Sequence, residues 1–357
     1  MGARLVIGMR RHERRGSSAS SFVLCALGLL AAGIAWAEDV DDLPDLLQPL
    51  VSRHEEADSG ATSAPPRRVP APAPVSSLVP LAPDGEPRLP PRLREAAALQ
   101  IALDRRGFGC GMIDGHPGGK TRQALLDFRY AVDTNGMDEA AARVLLLTNG
   151  AAVFAAYPVG SNDLLQVGDA PKDWEEAATR PAMSCGTLLE LFAERFHASP
   201  AFLRQLNPGV TNWDGTLAGR RICVPNVRAA EAKFDVRQIT INTDIFRLRG
   251  YDARGRLTCS FPCSIARDRA KVPSGELRVS NVAPHPNYTF DPANFPESAR
   301  AQEIGRKLIL PPGPRNPVGD YWVSLSQPGY GIHGTPHPES IGNMESHGCF
   351  RLCNWDA

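Results

Sequence analysis

The sequence predicts a multidomain α+β protein with three folded parts: a small three-helix domain, a βααβ module and a mostly β C-terminal domain. Three observations predict it. At 357 residues the chain exceeds one ordinary domain and has room for two or three. Its texture changes from helical spacing before residue 150 to alternating strands after residue 234. Its chemistry-bearing residues crowd into the closing stretch GIHGTPHPESIGNMESHGCFRLCNWDA, which holds His333-Gly334 and His347-Gly348-Cys349.

Charge excludes some partners. Lys plus Arg at 39 balances Asp plus Glu at 39, so no global field draws the protein to nucleic acid or to an anionic membrane. Partners are therefore sought at local sites.

Residues 1–37 read as a signal peptide. Arg4, Arg10, Arg11, Arg14 and Arg15 precede an apolar run from Phe22 to Ile34, and Ala35-Trp36-Ala37 then places small residues at the cleavage positions. The run is shorter than the ~20 residues that span a bilayer. The chain is expected to be exported to the periplasm, cut before Glu38, and to touch the membrane only transiently; an uncleaved anchor is the alternative. Beyond the leader stand Cys110, Cys185, Cys223, Cys259, Cys263, Cys349 and Cys353. That number is odd, so in an oxidising compartment at least one thiol stays unpaired within the chain, either incidentally or as a nucleophile.

Residues 38–91, rich in Pro and Ala as in SAPPRRVPAPAPVSS, read as a disordered tether. In 92–150, Leu93, Ala97, Leu99 and Leu103 recur at helical spacing, a second helix is expected over 120–131, and MDEAAARVLLL supplies a third. Ile113-Asp114-Gly115 followed by the Gly118 to Leu125 helix start resembles the small peptidoglycan-binding three-helix domain. Pro158, Pro171 and Pro181 mark a linker. In 183–227, helices are expected from Thr187 to Phe196 and from Pro200 to Leu206, the second capped by Ser199 with Pro200 at its first position, before the strand GRRICVPN. Leu206-Asn207-Pro208 with the later Gly-x-x-Ile-x-Val-Pro resembles a LysM domain, which implies binding to glycan strands. Its usual first strand is reduced to Cys185-Gly186-Thr187, and a Cys185–Cys223 disulfide would fit the strand ends.

Residues 234–357 alternate as strands in VRQITINT, IFRLRGYD, RLTCSFPCSIA, GELRVSNVA and VGDYWVSLSQ, separated by Gly, Pro and Asp turns. The closing histidines and cysteine admit two chemistries. His333, His337, His347 and Cys349 are acceptable zinc ligands, but Gly334, Pro336 and Pro338 make a chelating helix there improbable. Acyl transfer is the stronger reading. A thiolate needs a base and a positive local field, which His333 supplies to Cys349; Gly348 lets backbone N–H groups approach a developing oxyanion. CFRLCNWDA reads as a short helix opening at Cys349, whose N-terminus would favour a thiolate. On such a helix Cys353 lies near the same face as Cys349 and is a candidate oxidation partner. His116, His197 and His285 read as loop histidines without chemical duty.

At these residues the sequence resembles the YkuD-type L,D-transpeptidase family, whose motif is His-Gly, a spacer, then Ser/Thr-His-Gly-Cys-x-Arg-x-x-Asn. It stands here as His333, Gly334, Thr335, Ser346, His347, Gly348, Cys349, Arg351 and Asn354. The resemblance implies that Cys349 is the nucleophile, His333 its base, and His347 an orienting residue that polarises the carbonyl. Arg351 would hold an anionic group of the substrate, and Ser346 and Asn354 would be scaffold hydrogen-bonders. It also implies a peptidoglycan stem tetrapeptide as donor, release of D-alanine, and transfer to an amine of a second stem or of a wall-anchored lipoprotein, or to water. No metal or organic cofactor is implied. The family fold is expected to run past Ala357 with the rest of a helix and a closing strand, so the domain reads as truncated. The rival is a non-catalytic peptidoglycan-binding protein.

Overall fold

The computed structural model describes residues 4–8, 78–81, 87–132, 136–148, 152–227, 234–273, 275–295, 298–346 and 348–357. The leader's apolar run, its cleavage site and most of the tether lie outside the described residues, as does His347. Among the described residues no helix is long and apolar enough to cross a membrane.

Strands β1 (Arg4–Gly8) and β2 (Val79–Pro80) precede helices α1 (Pro91–Asp104), α2 (Gly119–Val132) and α3 (Glu139–Leu147). Pro91 sits in the first turn of α1, where a missing N–H costs nothing, and the Asp138 carboxylate caps α3 by accepting from the Ala141 N–H. Helix α1 is buried on two sides. Leu99, Ala102 and Leu103 pack with Ala124, Leu125 and Phe128 of α2 and Leu146 of α3, whereas Ala97 and Ile101 join a second core with Phe154, Phe192 and Phe202. One helix thus serves two cores. The buried Gln100 side chain accepts from the N–H groups of Asp114 and Gly115 and donates to Asp114, fixing the Ile-Asp-Gly turn, where Gly115 adopts a φ of 72°.

The stretch read as a linker is folded. It holds β3 (Phe154–Pro158), α4 (Ser161–Leu164) and α5 (Trp174–Thr179), ahead of α6 (Leu188–Arg195), α7 (Pro200–Leu206) and β4 (Arg221–Pro225). Ser199 caps α7 as its sequence position predicts, and Thr187, expected as the first helical residue, caps α6. Strand β3 pairs antiparallel with β4, from Phe154↔Pro225 to Pro158↔Arg221. The first strand of this βααβ arrangement is therefore Phe154–Pro158 and not the stretch at Cys185, which makes only an isolated bridge to Val167. Cys223 lies opposite Ala156, both Cys185 and Cys223 are buried, and no disulfide joins them. The residues between β3 and α6 form an insert that reaches the C-terminal domain.

That domain contains β5 (Gln238–Asn242), β6 (Arg247–Tyr251), β7 (Leu257–Pro262), β8 (Ile265–Ala266), β9 (Gly275–Pro284), β10 (Tyr288–Phe290), α8 (Ala299–Ile304), β11 (Leu308–Leu310), β12 (Tyr321–Leu325), β13 (Gly331–His333), β14 (Met344–Ser346) and β15 (Phe350–Arg351). The main sheet has eight strands in the order β15-β13-β12-β9-β1-β5-β6-β7. Arg4–Gly8 of the uncut chain lies between β9 and β5, parallel to the latter. Smaller sheets pair β10 with β11 and β8 with β14. A buried network ties α2 to this sheet: Asp127 accepts from Arg247 at 3.1 Å, Arg249 at 2.6 Å and the Ser260 hydroxyl at 2.6 Å.

Candidate active site

Strand register assembles the site. In the parallel pair of β13 and β15, Ile332 lies opposite Phe350 and His333 opposite Arg351. Side chains alternate along a strand, so Cys349, two residues before Arg351, shares a face with Arg351 and His333. The cores agree, since Ile332, Phe350 and Leu352 enter one cluster while Cys349 and Trp322 enter another. Cys349 does not open a helix. Strand β15 follows it directly, so no helix N-terminus stabilises the sulfur, and Cys353 is not placed one helical turn away. The charges acting on Cys353 come from Asp356, Glu194, Lys120 and Asp104, a setting distinct from that of Cys349.

His333 is 2% exposed, and the Trp322 ring stacks on it at 5.4 Å with 22° between planes, because Trp322 and His333 are cross-strand partners. Its Nδ1 lies 2.6 Å from the Gly334 carbonyl oxygen. A carbonyl only accepts, so the proton is assigned to Nδ1 and Nε2 carries the free lone pair of a base. Burial, with help from the Arg351 charge, lowers the imidazole to about 3 and keeps it neutral.

Cys349 is 1% exposed, and its thiol donates to the Gly329 carbonyl at 3.7 Å, under the turn between β12 and β13. Burial raises the thiol to about 11, although the Gly331 N–H and the Arg351 charge favour ionisation. Burial thus disfavours charge on both the Cys349 thiol and the His333 imidazole.

The remaining motif residues shape the backbone. The Ser346 hydroxyl donates to the Cys349 carbonyl at 2.5 Å and accepts from the Gly348 N–H at 3.3 Å, clamping the turn that presents the thiol. The Gly348 N–H, expected to face an oxyanion, is engaged in that clamp. Gly348 is required for closeness, because a Cβ there would lie 3.0 Å from the Tyr330 ring. Thr335 is buried and its hydroxyl accepts from the His337 N–H. The Asn354 amide donates to the Pro314 carbonyl at 3.0 Å, while its oxygen presses on the Gly334 backbone. Arg351 is buried, its main chain exchanging two hydrogen bonds with Ser264.

Three neighbours of the site were not legible in the sequence. Trp174 of the insert joins the cluster that contains Cys349, and the Met183 backbone pairs with Pro312 and Arg315 at 2.9 and 3.0 Å. Glu194 of α6 lies beside Asn354, and burial, reinforced by Asp320, raises its carboxyl to about 8. His197 is no idle loop residue either. With a φ of 54° it sets Nδ1 3.0 Å from an Asp104 oxygen and stacks on Trp355 at 5.0 Å. It lines a 490 Å³ cavity on the Ile332 and Leu352 face of the strands, the face opposite Cys349.

Residues 237–357 match the family model of the YkuD L,D-transpeptidase catalytic domain. YkuD of Bacillus licheniformis is 31% identical to this chain over 171 residues, which cover 48% of the chain and 84% of that relative. The chain belongs to the YkuD family of L,D-transpeptidases. YkuD of Bacillus subtilis is 28% identical over the same length and equal coverage. YcfS of Escherichia coli is 29% identical over 171 residues, and the match spans 52% of that protein. The aligned length in the Bacillus relatives exceeds the 237–357 stretch, so the similarity extends upstream of the L,D-transpeptidase domain. Within the YkuD-family domain lie all of the motif residues from His333 to Asn354.

Proposed function

We propose that the chain is an exported cell-wall enzyme, a peptidoglycan L,D-transpeptidase whose nucleophile is Cys349. The observation that carries this reading is the shared face of His333, Cys349 and Arg351 inside a segment that matches the family model. The sulfur attacks the carbonyl at the L centre of the diamino acid in a tetrapeptide stem, and His333 Nε2 takes the thiol proton. D-Alanine leaves as its amine, carrying that proton, and the thioester passes to a second amine. Arg351 supplies positive charge to the anionic substrate, and His347 orients the carbonyl. The βααβ arrangement acts as a LysM-like glycan module, and α1–α3 as a peptidoglycan-binding-like domain. Both would hold the catalytic domain at the wall in the periplasm.

The test is intact mass of the full chain after exposure to a carbapenem, with Cys349→Ala alongside. One adduct on wild type and none on the variant supports an activated thiol. No adduct on reduced, folded wild type moves the reading to a non-catalytic wall-binding protein.

A further inference from the structure

Tyr288, at the start of β10, is 1% exposed, and its hydroxyl has no hydrogen-bond partner among the described residues. Buried hydroxyls are nearly always bonded, so an orphan of this kind needs a reason. The ring is held from behind by Trp174 at 6.2 Å, and Tyr288 belongs to the same packed cluster as Cys349 and Trp322. Burial raises its phenol, and the neighbouring charge of a Cys349 thiolate raises it further, so the group keeps its proton whenever the sulfur is ionised. The hydroxyl is thus a buried, unpartnered O–H donor within the packed cluster that contains Cys349. Of the backbone N–H groups expected to face a developing oxyanion, around Gly348 and Cys349, the Gly348 N–H is already bonded to Ser346.

We propose that Tyr288 is a further catalytic residue, whose hydroxyl donates a hydrogen bond to the oxyanion formed when Cys349 attacks the substrate carbonyl. The proposal rests on the L,D-transpeptidase reading above. In the step, a carbon–sulfur bond forms and the carbonyl π pair moves to oxygen, where Tyr288 donates without giving up its proton. Collapse restores the C=O, breaks the carbon–nitrogen bond, and the amine leaves with the proton that His333 took from the thiol. The resting hydroxyl is unpaired because its partner exists only during the reaction, which is the condition for stabilising a transition state over a ground state.

The experiment compares wild type, Tyr288→Phe and Cys349→Ala in three measurements. The first is the rate of carbapenem acylation, which passes through an oxyanion. The second is the rate of Cys349 alkylation by iodoacetamide, which does not, and the third is the thermal melt. Tyr288→Phe is expected to slow acylation by about a hundredfold, the scale for loss of one oxyanion donor. Alkylation and melting temperature should stay at wild-type values, or the melt should rise as an unbonded buried hydroxyl is removed. Acylation within about twofold of wild type, or acylation and alkylation falling together, overturns the proposal, the second outcome marking a structural tyrosine. If wild type itself forms no Cys349-dependent adduct, the enzymatic reading fails first, and Tyr288 falls with it.

Discussion

Trp174 lies nearly flat against Phe290, ring centroids 4.9 Å apart and planes at 22°. The contact joins the insert of the upstream module to the β10–β11 hairpin, and both rings belong to the cluster that contains Cys349. The packed cluster that holds Cys349 is thus built partly by a residue outside 237–357, the stretch that matches the family model. Trp174→Ala should cost about 3–5 kcal/mol, as large-to-small core changes do. It should also slow carbapenem acylation of Cys349; urea unfolding and intact-mass kinetics read the two effects. A destabilised variant with wild-type acylation would show the insert to be a brace without influence on the site.

Asp127 joins α2 to β6 and β7. Burial alone would raise its carboxyl, but hydrogen bonds from Arg249 and Ser260 and the charges of Arg247 and Arg249 outweigh burial and hold it below the usual range. Asp127→Asn leaves Arg247 buried without its counter-charge, at an expected cost of about 3–5 kcal/mol. A loss under about 1 kcal/mol in urea would mean the helical segment is held by apolar packing alone.

His333 gives acid sensitivity a defined window. Its folded value falls from 6.5 to about 3, so between those pH values the unfolded chain binds a proton that the folded chain refuses. The stability of the neutral buried ring is present above pH 6.5 and lost as pH falls toward 3. His333→Asn should flatten the decline of melting temperature across that window, and a slope equal to that of wild type would place the imidazole in contact with water.

Glu194 behaves in the opposite sense. Burial, then the Asp320 charge, raise it from 4.5 to about 8, so the folded chain keeps a proton that the unfolded chain releases. Its neutral form contributes fully below pH 4.5, and the contribution is lost as pH rises through 8. Glu194→Gln mimics the neutral form and should melt above wild type at pH 8 but near it at pH 4. Equal melting at both values would mean that the carboxyl is ionised without penalty.

A methyl group at Gly334 would collide with the Asn354 side-chain oxygen and lie 3.2 Å from the Asn354 Cα. Gly334→Ala should therefore shift His333 against Cys349 and slow acylation by about a hundredfold, since displacements near 1 Å cost that much. Unchanged kinetics would remove Asn354 from the positioning of the site.

Local spacing made the helices legible: apolar residues at helical intervals, with Ser199 placed to cap α7. The strands of the C-terminal domain were legible for the same reason, as alternation between turn residues. Where sequence neighbours are not space neighbours, that reading failed. It put the first strand of the upstream module at Cys185, because the residues between Phe154–Pro158 and α6 hide which strand pairs with β4. It made CFRLCNWDA a helix, because pairing of Phe350–Arg351 with β13 outweighs local preference.

By itself the sequence carried the family motif, in the residue types and spacing of His333, Gly348, Cys349, Arg351 and Asn354. Only the tertiary structure decided how deeply His333 and Cys349 are buried, that Trp174 shares the Cys349 cluster and Glu194 lies beside Asn354, and that the Tyr288 hydroxyl is unpaired within that cluster. Desolvation and orphaned polar groups depend on what every other segment of the chain covers, and no short stretch of sequence contains that information.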